Sequence, residues 1–299
     1  MPPHLALGAV ALAAAAVLAL PTCATREVPQ PPVPDLQRGL WVWSNLPAVQ
    51  AGPRQQLLQL AGEQGLTTLF LQAQTLVYDD PAALADLVQQ AAVDELEVEL
   101  LAGDHNWAWP ANHAVARQLT RDLRDFSMNQ PGARPTAVHF NIEPHALPEW
   151  PTAQTALSHS LLDLLEQLHT ELAGSGLALV LDIPNWYDDI LVARDGKVRP
   201  LSELVQDRTD RVVLMDYRDS PALMLQLAQA ELTYGDAIGK PVVIAAESRC
   251  QLNDDLTWCE EGREALAAGL ATVRAAAGEH RSFGGTAVHD WQGLAELGP

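Results

Sequence analysis

The chain is short of positive charge: 18 Lys and Arg stand against 38 Asp and Glu, a formal net charge of -20 over 299 residues. Neutralising nucleic-acid phosphates takes clustered cations, so this shortage excludes polynucleotides as partners. Cysteine is scarce, with three in all, and no Cys-x-x-Cys pair or nearby histidine completes a zinc site. A Gly-x-Ser-x-Gly elbow is missing, which argues against a serine hydrolase. So is a glycine fingerprint for dinucleotides, since Ser44-Asn45-Leu46-Pro47 follows the first apolar run. Only 19% of the residues are charged while 48% are hydrophobic, a balance that excludes disorder and predicts a large core.

One long uncharged stretch, Leu5–Leu20, leads into Pro21-Thr22-Cys23-Ala24. Its apolar length and small-residue ending predict an export signal over residues 1–24, or a short membrane anchor if it is retained. Cys23 resembles the acylated cysteine of bacterial lipoproteins, although Leu20-Pro21-Thr22 departs from the small residue usual before it. Simple cleavage and lipidation, with membrane attachment through Cys23, both fit this segment. Residues 25–36 are Pro-rich and read as an extended tether, which leaves 37–299 as the folded domain. For an exported chain, periplasmic or at the cell surface, Cys250 and Cys259 are expected to pair as a disulfide.

Eight short apolar runs follow: Gly39–Trp43, Thr67–Ala73, Glu97–Gly103, Ala137–Pro144, Ala178–Pro184, Arg211–Tyr217, Pro241–Ser248 and Gly285–Trp291. Between most of them lie segments of helical periodicity, at Pro53–Gln64, Pro81–Ala92, Thr152–Leu172, Pro221–Glu231 and Glu260–Ala277. Alternating strands and helices imply a parallel sheet with right-handed crossovers, and eight units close a (β/α)8 TIM barrel in one domain. A doubly wound open sheet is the alternative. Only Gln292–Pro299 is left for an eighth helix.

In such a barrel the chemistry gathers at the C-terminal ends of the strands. Here those ends carry Trp43, Gln72, Asp104 with His105, Glu143, Asp182, Asp216 with Tyr217, Glu247, and Asp290 with Trp291. Several of the acids interrupt otherwise apolar runs, as in FNIEP, LVLDIP and VLMDY. Desolvation raises the pKa of such an acid, and a second acid in polar surroundings stays charged; together they can break a glycosidic bond. The expectation is that Glu143, flanked by Phe140, Ile142 and Pro144, holds its proton and acts as general acid. Glu247, Asp182 or Asp216 would be its partner. Trp43, Trp107, Trp186 and Trp291 would offer stacking faces to a sugar, with Gln72, Asp104, His105, Asn141, His145 and Tyr217 as polar contacts. Glu143, Asp182, Asp216, Glu247, Tyr217 and Trp291 should line one mouth. His139, His145 and His289 raise a metal reading, but strand one has Trp41-Val42-Trp43 where metal-dependent barrel hydrolases carry His-x-His, so no cofactor is expected.

With these residues in view, the chain resembles the glycoside hydrolase barrels. Thr136–Glu143 is similar to the fourth-strand DxxDxDxE of chitinase-type enzymes, in which the last Glu is the acid. Thr136, His139 and Asn141 replace its three aspartates. Met215-Asp216-Tyr217 resembles the family's Met-x-Tyr, with Arg218 where an Asp normally follows, and Trp291 matches its eighth-strand Trp. The retaining-glycosidase clan is a second resemblance, because its acid ends strand four and its nucleophile ends strand seven, as Glu143 and Glu247 would. Ile142 stands where that clan usually has Asn. Both resemblances imply an oligosaccharide or polysaccharide substrate. The lost acids also allow a barrel that binds sugar or cell-wall material without cleaving it.

Overall fold

The structure is a computed structural model that describes residues 36–250 and 253–298. The expected signal, tether and lipidated Cys23 lie outside the described residues. Eight parallel strands close a barrel: β1 (Gln37–Val42), β2 (Thr68–Gln72), β3 (Glu97–Ala102), β4 (Ala137–Phe140), β5 (Ala178–Pro184), β6 (Arg211–Met215), β7 (Val242–Glu247) and β8 (Phe283–His289). Neighbours follow chain order, and β1 pairs with β8 through Gly39 and Ala287, so no edge is left open. Closure excludes the doubly wound alternative.

Successive side chains of a strand point to opposite faces, and this period of two sorts the core. Trp41, Phe70, Leu101, Ala137, Val180, Val213, Val243, Ala245 and Ala287 fill the barrel interior. Their neighbours Leu40, Leu69, Leu100, Val138, Leu179, Val212, Ile244 and Val288 pack outward against the helices. Gly39 leaves room for one of the large interior rings, since a Cβ there would lie 2.4 Å from Phe70.

The helices follow their sequence signals. Pro81–Val93 starts with a proline, is capped by Asp80 accepting the Ala83 N–H at 3.0 Å, and buries Leu84, Leu87, Val88 and Ala91. Trp150–Leu172 buries the expected leucine stripe, including Leu157, Leu161, Leu164, Leu165 and Leu168. Trp291–Glu296 supplies a short eighth helix. Between β5 and β6 the chain adds an antiparallel hairpin, Leu191–Arg194 with Lys197–Pro200, turned by Asp195 and Gly196, both at positive φ.

Candidate active site

Beneath the mouth, the barrel interior holds a line of buried polar groups. Gln37 Nε2 donates to Glu99 Oε1 at 2.7 Å, and Arg211 donates to the same oxygen. His139 Nδ1 lies 2.8 Å from Glu99 Oε2, and its Nε2 lies 2.6 Å from Asp182 Oδ1. Trp41 Nε1–H donates to Asp182 Oδ2 at 3.1 Å. An imidazole between two carboxylates needs a proton on each contact, or an acceptor would face an acceptor. Against the cost of burial, the charges and hydrogen bonds of Asp182 and Glu99 push His139 up to about 9. Glu99, despite its burial, is held at about 2 by Arg211, His139 and Gln37. Asp182 is 1% exposed, so this expected catalytic partner is bound into the core.

Above this line lie Glu143, which is partly exposed, and Glu247, which is enclosed at 2% exposure. Glu143 follows β4 with its side chain 30% exposed and Oε2 3.3 Å from His145 Nε2. The Tyr187 hydroxyl lies 3.4 Å from the other ring nitrogen of His145. Hydrogen bonding from His145 outweighs burial and, with the Asn141 amide and the charge of His289, holds the Glu143 carboxyl below its ordinary range. The expected proton-holding acid therefore rests ionised, because Asn141 and His145 supply donors that its apolar neighbours had concealed. His145 meets Trp186 at 5.0 Å between ring centroids, and Trp150 lies 6.4 Å from both, forming an aromatic wall beside the acid.

Glu247 ends β7. Its Oε1 accepts the Arg249 backbone N–H at 2.7 Å, and its Oε2 lies 2.9 Å from His289 Nδ1. Trp43 Nε1–H donates to His289 Nε2 at 3.0 Å. Indole nitrogen is only a donor, so Nε2 accepts and the ring proton sits on Nδ1, aimed at Glu247. Against burial, Glu247 and Asp290 draw His289 toward protonation, while the Trp43 bond occupies the nitrogen that a second proton would need. Tyr217 packs on the interior cluster, with its ring 5.8 Å from His289. Burial raises its phenol, and the charges of Glu247, Asp182 and Glu143 raise it further.

The loop after β7 is tied back onto the strand. Trp258 N–H donates to the Glu247 carbonyl at 3.1 Å, and Thr257 Oγ1 donates to the Arg249 carbonyl at 2.6 Å. Cys250 and Cys259 are disulfide-bonded, as the sequence suggested, with Cα atoms 5.0 Å apart. Arg249 turns its guanidinium to Asp290, with hydrogen bonds of 2.8 and 2.6 Å. Trp258 rests on Gly269 of helix Gly262–Ala277, where a Cβ would lie 2.3 Å from the indole.

Other expected site residues are placed elsewhere. Asp216 is fully buried in the outer layer: Asn185 Nδ2 donates to its Oδ1 at 2.9 Å, and Oδ2 has no hydrogen-bond partner among the described residues. Just past the end of β6, Asp216 turns to Asn185 while Tyr217 takes the inner place. Trp291 is 7% exposed and packs in the outer core, and Trp107 is buried edge-on to Phe140. Asp104 caps a short turn by accepting the Asn106 N–H at 2.8 Å, His105 is exposed, and Gln72 accepts the Gln74 N–H at 2.7 Å. Trp43, Asn141, His145, Trp186 and Tyr217 gather with the two glutamates. Sequence reasoning missed Trp150 and Tyr187 and weighed His289 only as a metal ligand; its inward parity on β8 was the available signal.

No protein-family model and no curated protein match the chain. Among solved structures it is similar to a chitinase from Chromobacterium violaceum, at 13% identity and a TM-score of 0.52, over 87% of this chain and 97% of that one. It is also similar to the PgaB glycoside hydrolase domain from Bordetella bronchiseptica, at 12% identity and a TM-score of 0.53, over 87% and 96%. A GH113 β-1,4-mannanase matches at 11% identity with a TM-score of 0.54, over 87% and 89%. What the chain shares with these enzymes is the fold, a closed (β/α)8 barrel.

Proposed function

We propose that the chain is an exported glycoside hydrolase that cleaves an oligosaccharide or polysaccharide with Glu143 and Glu247. The observation that carries this reading is that, of the four acids first considered, Glu143 keeps its side chain 30% exposed, while Glu247, 2% exposed, is held at the end of β7 by the Arg249 backbone N–H and His289. Each is set against a histidine. Glu247, held at both oxygens, is the fixed partner that attacks the sugar or activates water. Glu143 is the acid. A sugar ring that displaces water around Glu143 disfavours its charged form, so the carboxylate takes up a proton on binding and delivers it to the leaving group. Export, with or without a lipid on Cys23, belongs to the same proposal and rests on residues 1–24.

The test is a polysaccharide panel assayed for new reducing ends, with Glu143→Gln and Glu247→Gln as controls. Each variant should lose on the order of 10²–10⁴ in rate. A second reading, a barrel that binds glycan without cleaving it, is favoured by the ionised resting state of Glu143. Tight binding of a polysaccharide with no cleavage by the native protein would establish that reading instead.

A further inference from the structure

A groove of about 680 Å³ runs over the outer side of the barrel, between the segment after β5 and the helices Pro221–Leu227 and Gln229–Ile238. Trp186, Asp188 and Asp189 form one wall, with Gln226, Gln229 and Thr233 on the helices opposite. Trp186 belongs to both places: it lines the groove, and its ring meets His145, which in turn contacts Glu143. The groove thus shares one indole with the aromatic wall beside Glu143.

Its chemistry narrows what can lie there. The helix wall offers the amides of Gln226 and Gln229, groups that exchange hydrogen bonds with sugar hydroxyls, while the Thr233 hydroxyl is held by Gln229; Trp186 adds an aromatic surface for a sugar ring. Asp188 and Asp189 form no salt bridge among the described residues. Arg199, the nearby cation, is consumed by Glu203 and Asp207 and lies over the ring of Tyr234, 5.2 Å from its centroid. Burial and the adjacent Asp189 charge raise the Asp188 carboxyl, a repulsion that a bound cation would relieve and a bound anion would worsen.

We propose that this groove is a second glycan-binding site, which takes the chain as it leaves the mouth across Trp186 and selects neutral or amine-bearing polysaccharides over those carrying uronate or sulfate. The proposal rests on the reading of the mouth as a glycan site and adds to it a substrate class: a polymer rather than a disaccharide, without negative charge. Like charges juxtaposed without a counterion supply the discrimination.

The experiment is affinity electrophoresis of the full chain in gels containing hydroxyethylcellulose, chitosan or polygalacturonate, which needs no cleavage. The Gln226→Ala/Gln229→Ala variant changes two exposed helix positions and leaves Glu143 and Glu247 in place. We expect retardation by the neutral or the amine-bearing polymer, weakened about tenfold in this variant. No retardation is expected by polygalacturonate until Asp188→Asn/Asp189→Asn is introduced. Cleavage of a short activated aryl glycoside, if the mouth is catalytic, should be unchanged in the glutamine variant. Equal retardation of native and variant protein, or native binding to polygalacturonate as strong as to the other two, overturns the groove. A groove that binds while no polymer is cleaved leaves it standing and removes only the hydrolase reading.

Discussion

His139 Nε2 stands 2.6 Å from Asp182 Oδ1 in the fully enclosed barrel interior, with Glu99 on the opposite ring nitrogen. Breaking a buried pair by removing one partner strands a charge, so His139→Ala should cost about 3–5 kcal/mol. The folded protein holds this proton up to about pH 9, whereas an unfolded histidine releases it near 6.5. A group with a raised folded pKa stabilises most below its unfolded value, and that contribution is lost as pH rises through the folded one. Tm should therefore decline between pH 6.5 and 9. A Tm that rises over that range would exclude a proton held between these residues.

Asp216 gives a prediction of the opposite character for activity. Burial pushes its carboxyl up to about 7, and nearby Glu231 on the outer helix is pushed up to about 8 by the same cause. Each makes stability fall as pH rises from its ordinary value, 3.8 or 4.5, through its folded one, so Asp216 acts below about pH 7 and Glu231 reaches to about 8, where its fall overlaps the decline set by His139. Asp216→Asn should leave kcat/KM within about twofold, since the side chain faces away from the mouth, and should flatten the fall of Tm between about pH 4 and 7. A large loss of kcat with unchanged stability would return Asp216 to the site.

His145 governs the resting charge of Glu143. His145→Phe keeps an aromatic ring beside Trp186 and removes the donor, so the Glu143 pKa should rise. If Glu143 is the acid, the alkaline limb of the pH-rate profile moves to higher pH with it. Carbon-13 shifts of the labelled carboxyl report the first change without any substrate. A Glu143 pKa that falls in this variant would contradict the hydrogen bond as the dominant cause.

The disulfide closes a short loop at the end of β7. Loop-closure entropy for about ten residues is worth roughly 2–3 kcal/mol, so Cys250→Ser/Cys259→Ser should lower the denaturant midpoint by the corresponding amount at an unchanged m value. Thiol counting on non-reduced protein should find neither sulfur free.

The strands and their closure were legible because eight apolar runs recurred at near-regular spacing, each long enough for one strand. The hairpin after β5 was also written plainly, as Asp195-Gly196, but inside a segment read as a single crossover. His113–Met128 is a two-faced helix that was not singled out, for it lies beyond a Trp- and Pro-rich turn that breaks the pattern. At the mouth, the residue types were readable and the directions were not fully used. Counting alternate positions from Val213 places Tyr217 inward and Asp216 outward, and counting from Ala287 brings His289 in. Contacts made across strands, such as Trp43 with His289 or His139 with Asp182, join residues far apart in sequence. No local pattern announces them.

Gly269 sits on an outer helix, far along the chain from Glu247, yet the two are mechanically coupled. An added methyl group there would have to lift the Trp258 ring, and Trp258 carries the backbone N–H that holds the Glu247 carbonyl. A change of one carbon on the helical shell is thus passed, through one indole and one peptide group, to the tip of the strand that presents the proposed nucleophile. The outer helix acts as a backstop for the loop that follows β7, and any side chain at position 269 meets the Trp258 ring.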